Sequence, residues 1–333
     1  MTTISIPRIA VPDFWLSNFK RVQDYLDSQV SQGVVREYGS SSTGLPLRLI
    51  EYAREDARAK VMVMGGTHGH EPGTVASATN LVHLMEQGVD LAGEEHPELL
   101  ELLGQVHLYV VPVLNPDGRV VCPDTFYAQG VDTCTAYACG ITKSGDLVPY
   151  DAGAEEPLYY YDPEDCVFIG GQFNGAGWAI NRLRSPDKAD AVEVAALFEF
   201  VRPLGLDCLM DLHACGYNFA FQVRSHDRRY WPIMREWQRR AELLFGAKGR
   251  QLGALHGDDG EPLTFHFNSS LFHRHAKLMW IAYEGRQGYL GRASFWPLPS
   301  EWEIVDDYLS AVQVTLSLAV EGTIREVNRG VFG

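Results

Sequence analysis

The chain has 333 residues, 46% hydrophobic and 21% charged, the make-up of a globular protein large enough to bury a core without disulfide staples. Its formal net charge of −15 argues against a general nucleic-acid binder, which needs a basic face. No apolar run reaches the ~18 residues of a membrane span, and MTTISIPRIAVPDFW has neither a basic nor a long apolar stretch, so a soluble cytoplasmic protein with reduced cysteines is expected.

In chain order, residues 14–32 place Trp15, Phe19, Val22 and Leu26 at helical spacing before Gly33. Extended segments follow near 34–38 and 46–52, separated by GSSSTGLP. The apolar run KVMVMGG then leads into a helix with Pro72 in its first turn and Val75, Ala78, Val82 and Met85 on one face. Further apolar runs are VHLYVVPVLN at 106–115, LDCLMDLH at 206–213 and KLMWIAYE at 277–284. Helices are read at 188–201 and 300–320, the last with Trp302, Val305, Tyr308, Leu309 and Val312 on one face. Buried strands alternating with helices predict an α/β fold. Residues 119–177, rich in Gly, Asp, Tyr and Pro, lack this rhythm and read as an insertion beside the site of one catalytic domain over 1–333.

Polar residues close each central run. His68 and Glu71 follow the first, Asn115 and Asp117 end the second, Asp211 and His213 the third, and Glu284 the fourth. The carboxyl ends of strands border the crevice of open α/β sheets. His68 and Glu71 alone form a weak pair, and His213 adds a distant third ligand. Two histidines and a glutamate with an open fourth position are the donor set of a catalytic zinc, one per chain. His70 reads as a neighbour of the site rather than a ligand. Glu284, ending a strongly apolar strand, is placed to act as general base on the attacking water.

GGTHGHE, VPVLNPDGR, INR, DLH and IAYEG stand in the order and spacing of the zinc carboxypeptidases, and the resemblance runs from about residue 34 to 320. It implies a three-layer α/β/α sandwich around a mixed, mostly parallel sheet. It also implies zinc ligation by His68, Glu71 and His213, a general base at Glu284, and a clamp on the substrate's terminal carboxylate at Asn181 and Arg182. A guanidinium fork suits a carboxylate physically as well.

The chain departs from the family pattern in two places. No Arg lies between Arg119 and Arg182, where the family has a carbonyl-polarising one; Lys143, Gln172, Asn174, Arg119 and Arg184 are the candidate replacements. Where digestive carboxypeptidases have a mobile Tyr, EPLTFHFNSS offers His266.

The expected activity is removal of a C-terminal residue from a peptide or modified peptide. GGTHGHE and DLH also resemble the aspartoacylase and succinylglutamate desuccinylase branch, so cleavage of N-acyl amino acids is the alternative. A non-catalytic zinc-bearing interaction protein is a lesser one. GGTHGHEPG lacks the Lys-Ser/Thr of a phosphate-binding loop. The expected partner is a small substrate with a free carboxylate. Tyr127, Tyr137, Tyr159, Tyr160 and Tyr161 are expected to wall the site mouth. Cys122, Cys134, Cys139 and Cys166 are expected to hold the insertion as packed thiols, with a disulfide or second metal as alternatives.

Overall fold

A computed structural model describes residues 10–150, 158–185, 187–214, 220–223, 228–253, 255–256, 267–290 and 298–333. Helix α1 (Phe19–Gln29) starts at Asn18, whose side chain accepts from the Arg21 N–H. Strands β1 (Val34–Ser40) and β2 (Pro46–Tyr52) form an antiparallel hairpin. Strand β3 (Ala59–Met64) leads into α2 (Pro72–Gln87), which Pro72 opens and the left-handed Gly88 closes. Next come α3 (Pro97–Leu103), β4 (Val106–Val111) and the single turn α4 (Pro116–Val120). The 119–177 segment holds α5 (Val131–Cys139) and an antiparallel pair of short strands, β5 (Gly140–Thr142) and β6 (Cys166–Ile169). Then follow α6 (Val192–Val201), β7 (Cys208–Ala214), β8 (Ala220–Val223), α7 (Trp231–Ala247), β9 (Leu255–His256), α8 (Asn268–Leu271) and β10 (Met279–Gly285). Last are α9 (Glu301–Val320) and α10 (Thr323–Phe332).

The main sheet runs β1-β2-β4-β3-β7-β10-β8-β9. Its centre, β4-β3-β7-β10, is parallel throughout, while β1-β2, β2-β4 and β10-β8 are antiparallel. Side chains alternate across each central strand into two cores. Val61, Val63, Met210, Leu212, Ile281 and Tyr283 face one core, with α2 and α9. Met62, Met64, Leu209, Trp280 and Ala282 face the other, with α6 and α8. This is the α/β fold that the apolar runs predict and the mixed, mostly parallel sheet between helical layers that the family resemblance implies. Both faces are apolar because both are covered, so the strands read as continuous apolar runs.

The alternation also fixes where function can sit. Asp211 and His213 continue the Leu209 face of β7, and Glu284 continues the Trp280 and Ala282 face of β10. All three therefore point to the α6/α8 side of the sheet. Among the described residues no helix is long and apolar enough to cross a membrane.

Candidate metal centre

Backbone register aligns the site. β3 and β7 pair Met64 with Asp211, and β7 and β10 pair His213 with Glu284, so three adjacent parallel strands end together. His68 and Glu71 sit in the loop between β3 and α2. Two glycines hold that loop down. A Cβ on Gly69 would lie 2.0 Å from the Gly118 carbonyl carbon, and one on Gly171 would lie 2.4 Å from the His70 nitrogen. Gly69 N–H donates to the Gly171 carbonyl at 2.8 Å. The buried Arg119 donates to the carbonyls of Gly69, Cys122 and Pro123.

Both histidines turn Nδ1 to one point. His68 Nδ1 is 2.8 Å from Glu71 Oε1 and 3.3 Å from His213 Nδ1, while His213 Nδ1 is 3.5 Å from Glu71 Oε2. Tetrahedral ligands at about 2.0–2.1 Å from a zinc ion stand about 3.3 Å apart, so these spacings bracket the required one. Glu71 Oε2 is buried without a hydrogen-bond partner among the described residues, and two imidazole nitrogens face each other across 3.3 Å. A cation between them satisfies all three atoms. Among the described residues this is the one cluster of His, Cys, Asp or Glu able to hold a metal.

Asp211 orients the third ligand. Its Oδ2 is 2.7 Å from His213 Nε2, and its Oδ1 accepts from Thr67 Oγ1 at 2.6 Å. An imidazole that donates Nε2–H to a carboxylate presents a bare Nδ1 lone pair. Tyr308 OH donates to the His213 carbonyl at 2.8 Å and braces the strand from the opposite face. Burial acts on all three titrating neighbours. It works to raise Glu71, but His68 and His213 overcome it and hold the carboxyl well below the usual range. It works to lower His213, but Asp211 and Glu71 lift that imidazole above its ordinary value. His70 is pushed down to about 3, chiefly by burial, and stays neutral. It stacks on His68, with Nε2 3.8 Å from Glu71 Oε1.

A narrow cleft opens beside the cluster. Asn181, His213 and Glu284 line it with Ser269, Trp280 and Ala282, and Phe267 closes one side. Arg182 is buried next to it, its guanidinium carbon 4.1 Å from the centre of the Phe267 ring. The metal cluster, Glu284 and the Asn181-Arg182 pair are thus brought to one place.

Other expected residues lie elsewhere. Asn115 and Asp117 turn inward instead of into the crevice. Asn115 caps α4 and donates to the carbonyls of Gly171 and Phe173. Asp117 accepts from the hydroxyls of Ser41, Ser42 and Thr43 and from Gly175 N–H. Four candidates for the missing arginine are spoken for or remote. Arg119 is committed to backbone carbonyls, and Arg184 is paired with Asp190 over the Trp178 ring. Asn174 is bonded to Glu193, and Lys143 is exposed. Gln172 remains, next to Gly171, with a buried Oε1 that has no hydrogen-bond partner among the described residues. His266 lies outside the described residues.

The five tyrosines do not form one wall. Tyr137 packs between Phe126 and Phe168, Tyr160 packs on Trp178, Tyr161 joins a third cluster, Tyr127 abuts Gly288, and the Tyr159 carbonyl accepts from Ala179 N–H. Cys122 and Cys134 share one apolar cluster and Cys139 and Cys166 another, all as free buried thiols. The insertion meets the segment after Glu284 through Ala128 N–H to Gly288 and Val131 N–H to Leu290.

Residues 22–128, about a third of the chain, match the family described as zinc carboxypeptidase. More than nine-tenths of the chain superposes on solved structures of carboxypeptidase type. A metallo-carboxypeptidase from Burkholderia cenocepacia superposes with a TM-score of 0.59 at 18% identity, covering 92% of this chain and 69% of that one. Bovine thrombin-activatable fibrinolysis inhibitor, solved with tick carboxypeptidase inhibitor, gives 0.57 at 13% identity, covering 91% and 96%. Carboxypeptidase A from Helicoverpa armigera gives 0.56 at 12% identity, covering 92% and 75%.

The chain has the zinc carboxypeptidase fold.

No curated protein matches the sequence. In this carboxypeptidase fold the matched segment carries His68 and Glu71, whereas His213, Glu284 and Asn181-Arg182 lie beyond it and are joined to it by the sheet. Sequence reading placed Asp211 at the crevice but gave it no task. The Asp-x-His spacing on a strand, which puts both side chains on one face, is the signal that assigns it. Ser269 and Trp280 had no such signal.

Proposed function

We propose that the protein is a zinc-dependent amide hydrolase of the metallocarboxypeptidase type, removing the C-terminal residue of a peptide or modified peptide. The observation that carries this reading is the convergence of His68, Glu71 and His213 with Glu284 and Asn181 at one sheet edge. His68, Glu71 and His213 would hold the metal. When bound, zinc supplies Lewis-acid polarisation and makes water acidic enough to give up a proton near neutral pH.

The chain's own residues do the rest. Glu284, half-buried beside His213, takes the proton from the attacking water and passes it to the leaving nitrogen. Asn181 and Arg182 bind the free carboxylate and so set the scissile bond over Glu284. Gln172, which follows Gly171 where that glycine meets the His70 backbone, is the remaining candidate to fill in for the absent upstream arginine. Asp211 fixes His213 in the tautomer that ligates.

The test is a panel offered to the zinc-loaded protein: free-acid peptides, the same peptides amidated at the C-terminus, and N-acyl amino acids. The proposal predicts loss of one C-terminal residue from the free acids alone. Turnover confined to N-acyl amino acids would replace it with the deacylase reading.

A further inference from the structure

The cleft beside Glu284 has a floor of unusual chemistry. Ser269, on α8, is only 2% exposed, and its Oγ has no hydrogen-bond partner among the described residues. It lines the same cleft as Asn181, His213 and Glu284. A buried hydroxyl left unbonded is a standing cost, and a ligand group that can both donate and accept removes it.

The neighbours of Ser269 restrict what that group can be. Trp280 and Ala282 form the sheet side of the cleft and Phe267 its flank, so the described residues around Ser269 on this side carry no charge. Trp280 is held by Phe272, ring centres 5.1 Å apart, and fills space that a smaller residue would leave open. The free volume is about 10 Å³, enough for about one water-sized group. The depth is set firmly, because Asn268 Nδ2 donates to the Ile180 carbonyl at 2.7 Å and ties α8 to the residue before Asn181. A space of this size favours a short side chain over an aromatic or branched apolar one, and among the described residues the floor offers a charged one no counter-charge.

We infer that Ser269 is a specificity-determining residue, and that the substrate class is peptides ending in a small hydroxylated residue, serine or threonine. The inference rests on the proposed carboxypeptidase reading, with the terminal carboxylate on Asn181 and Arg182 and the terminal side chain directed onto Ser269.

The experiment compares peptides identical except for a last residue of Ser, Thr, Ala, Leu, Phe, Lys or Asp, with the zinc-loaded wild type and Ser269→Ala. In parallel, calorimetry measures binding of free L-serine, L-alanine and L-phenylalanine to both proteins. Ser269→Ala removes one atom that makes no hydrogen bond among the described residues, so the variant keeps the fold. Wild type should favour terminal Ser over Ala by about tenfold in kcat/KM, the worth of one net hydrogen bond, and Ser269→Ala should bring the two to within about twofold. A best substrate ending in Phe, Leu, Lys or Asp, or a Ser-to-Ala ratio unchanged by the substitution, overturns the inference. If no peptide is cleaved but L-serine out-binds L-alanine only when Ser269 is present, the pocket stands and the carboxypeptidase reading falls. With neither cleavage nor Ser269-dependent binding, both fall.

Discussion

Replacing Asp211 with Asn is isosteric and probes how His213 is made a ligand. Asp211 is fully buried, with Oδ2 2.7 Å from His213 Nε2 and Oδ1 accepting from Thr67 at 2.6 Å. An amide can keep only one of these acceptors in place. If its NH2 faces His213, the imidazole must carry its proton on Nδ1, the atom that points at His68 and Glu71, and ligation is blocked until that proton leaves. If the amide turns round, Thr67 must reverse its hydroxyl to accept, and His213 exchanges a charged partner for a neutral one. The second arrangement costs about 1 kcal/mol and sets the floor, about a fivefold loss of zinc affinity. Loss of such a carboxylate partner at other metal sites costs about 10–100-fold, the expected range here. The sign of the pH dependence follows from His213. In the metal-free protein Asp211 and Glu71 lift its pKa against the pull of burial, so a proton competes with the metal. Asn removes part of that lift, so the deficit should be smallest at about pH 6 and grow towards about pH 8. Competition against a fluorescent zinc chelator across that range measures both. Affinity within about twofold of wild type at every pH would refute the role given to Asp211.

Three further perturbations address the clamp, the insertion and the fold. Arg182→Ala should lower kcat/KM for free-acid peptides by about 100-fold and for amidated ones by no more than about threefold, and equal damage in steady-state assays would assign Arg182 to the scissile carbonyl instead. Asp117→Ala strips the acceptor from Ser41, Ser42, Thr43 and Gly175 N–H, so it should cost about 3 kcal/mol and expose 119–177 to limited proteolysis; an unchanged cleavage rate contradicts this. Glu86 accepts from the N–H groups of Ser31, Gln32 and Gly33 and from Tyr52 OH, and these bonds outweigh burial and hold its carboxyl below the usual value. A depressed folded pKa stabilises above the unfolded value and is lost as pH falls through the folded one. Glu86→Gln should therefore destabilise by about 2 kcal/mol at neutral pH, with the gap closing below about pH 4.3 in denaturant titrations; a gap independent of pH would contradict it.

The elements legible in the sequence are those with one environment along their length. β3, β7 and β10 are buried on both faces, so they stand out as unbroken apolar runs, and α9 shows its stripe over five turns. The nine residues of α5 do not, because VDTCTAYAC buries cysteine, tyrosine and alanine rather than a leucine stripe. The metal cluster was legible because two donors are local and the third ends an apolar strand. Asn115 and Asp117 also follow a strand, but Asn115 sits at the backbone crossing of Gly118 and Gly171, and Asp117 among the hydroxyls of Ser41, Ser42 and Thr43, settings that no spacing rule announces. Ser269 lies 88 residues from Asn181, and the Asn268–Ile180 hydrogen bond ties the two segments together.

The account turns on Glu284 acting on water in a zinc site that does not need it for metal binding. Glu284→Gln, loaded with zinc and incubated with a free-acid peptide, tests this by mass spectrometry of the peptide alongside elemental analysis of the protein. The account predicts about one zinc per chain in both proteins, removal of the C-terminal residue by wild type, and a rate at least about a thousandfold lower in the variant. Cleavage by Glu284→Gln within about tenfold of wild type would contradict it.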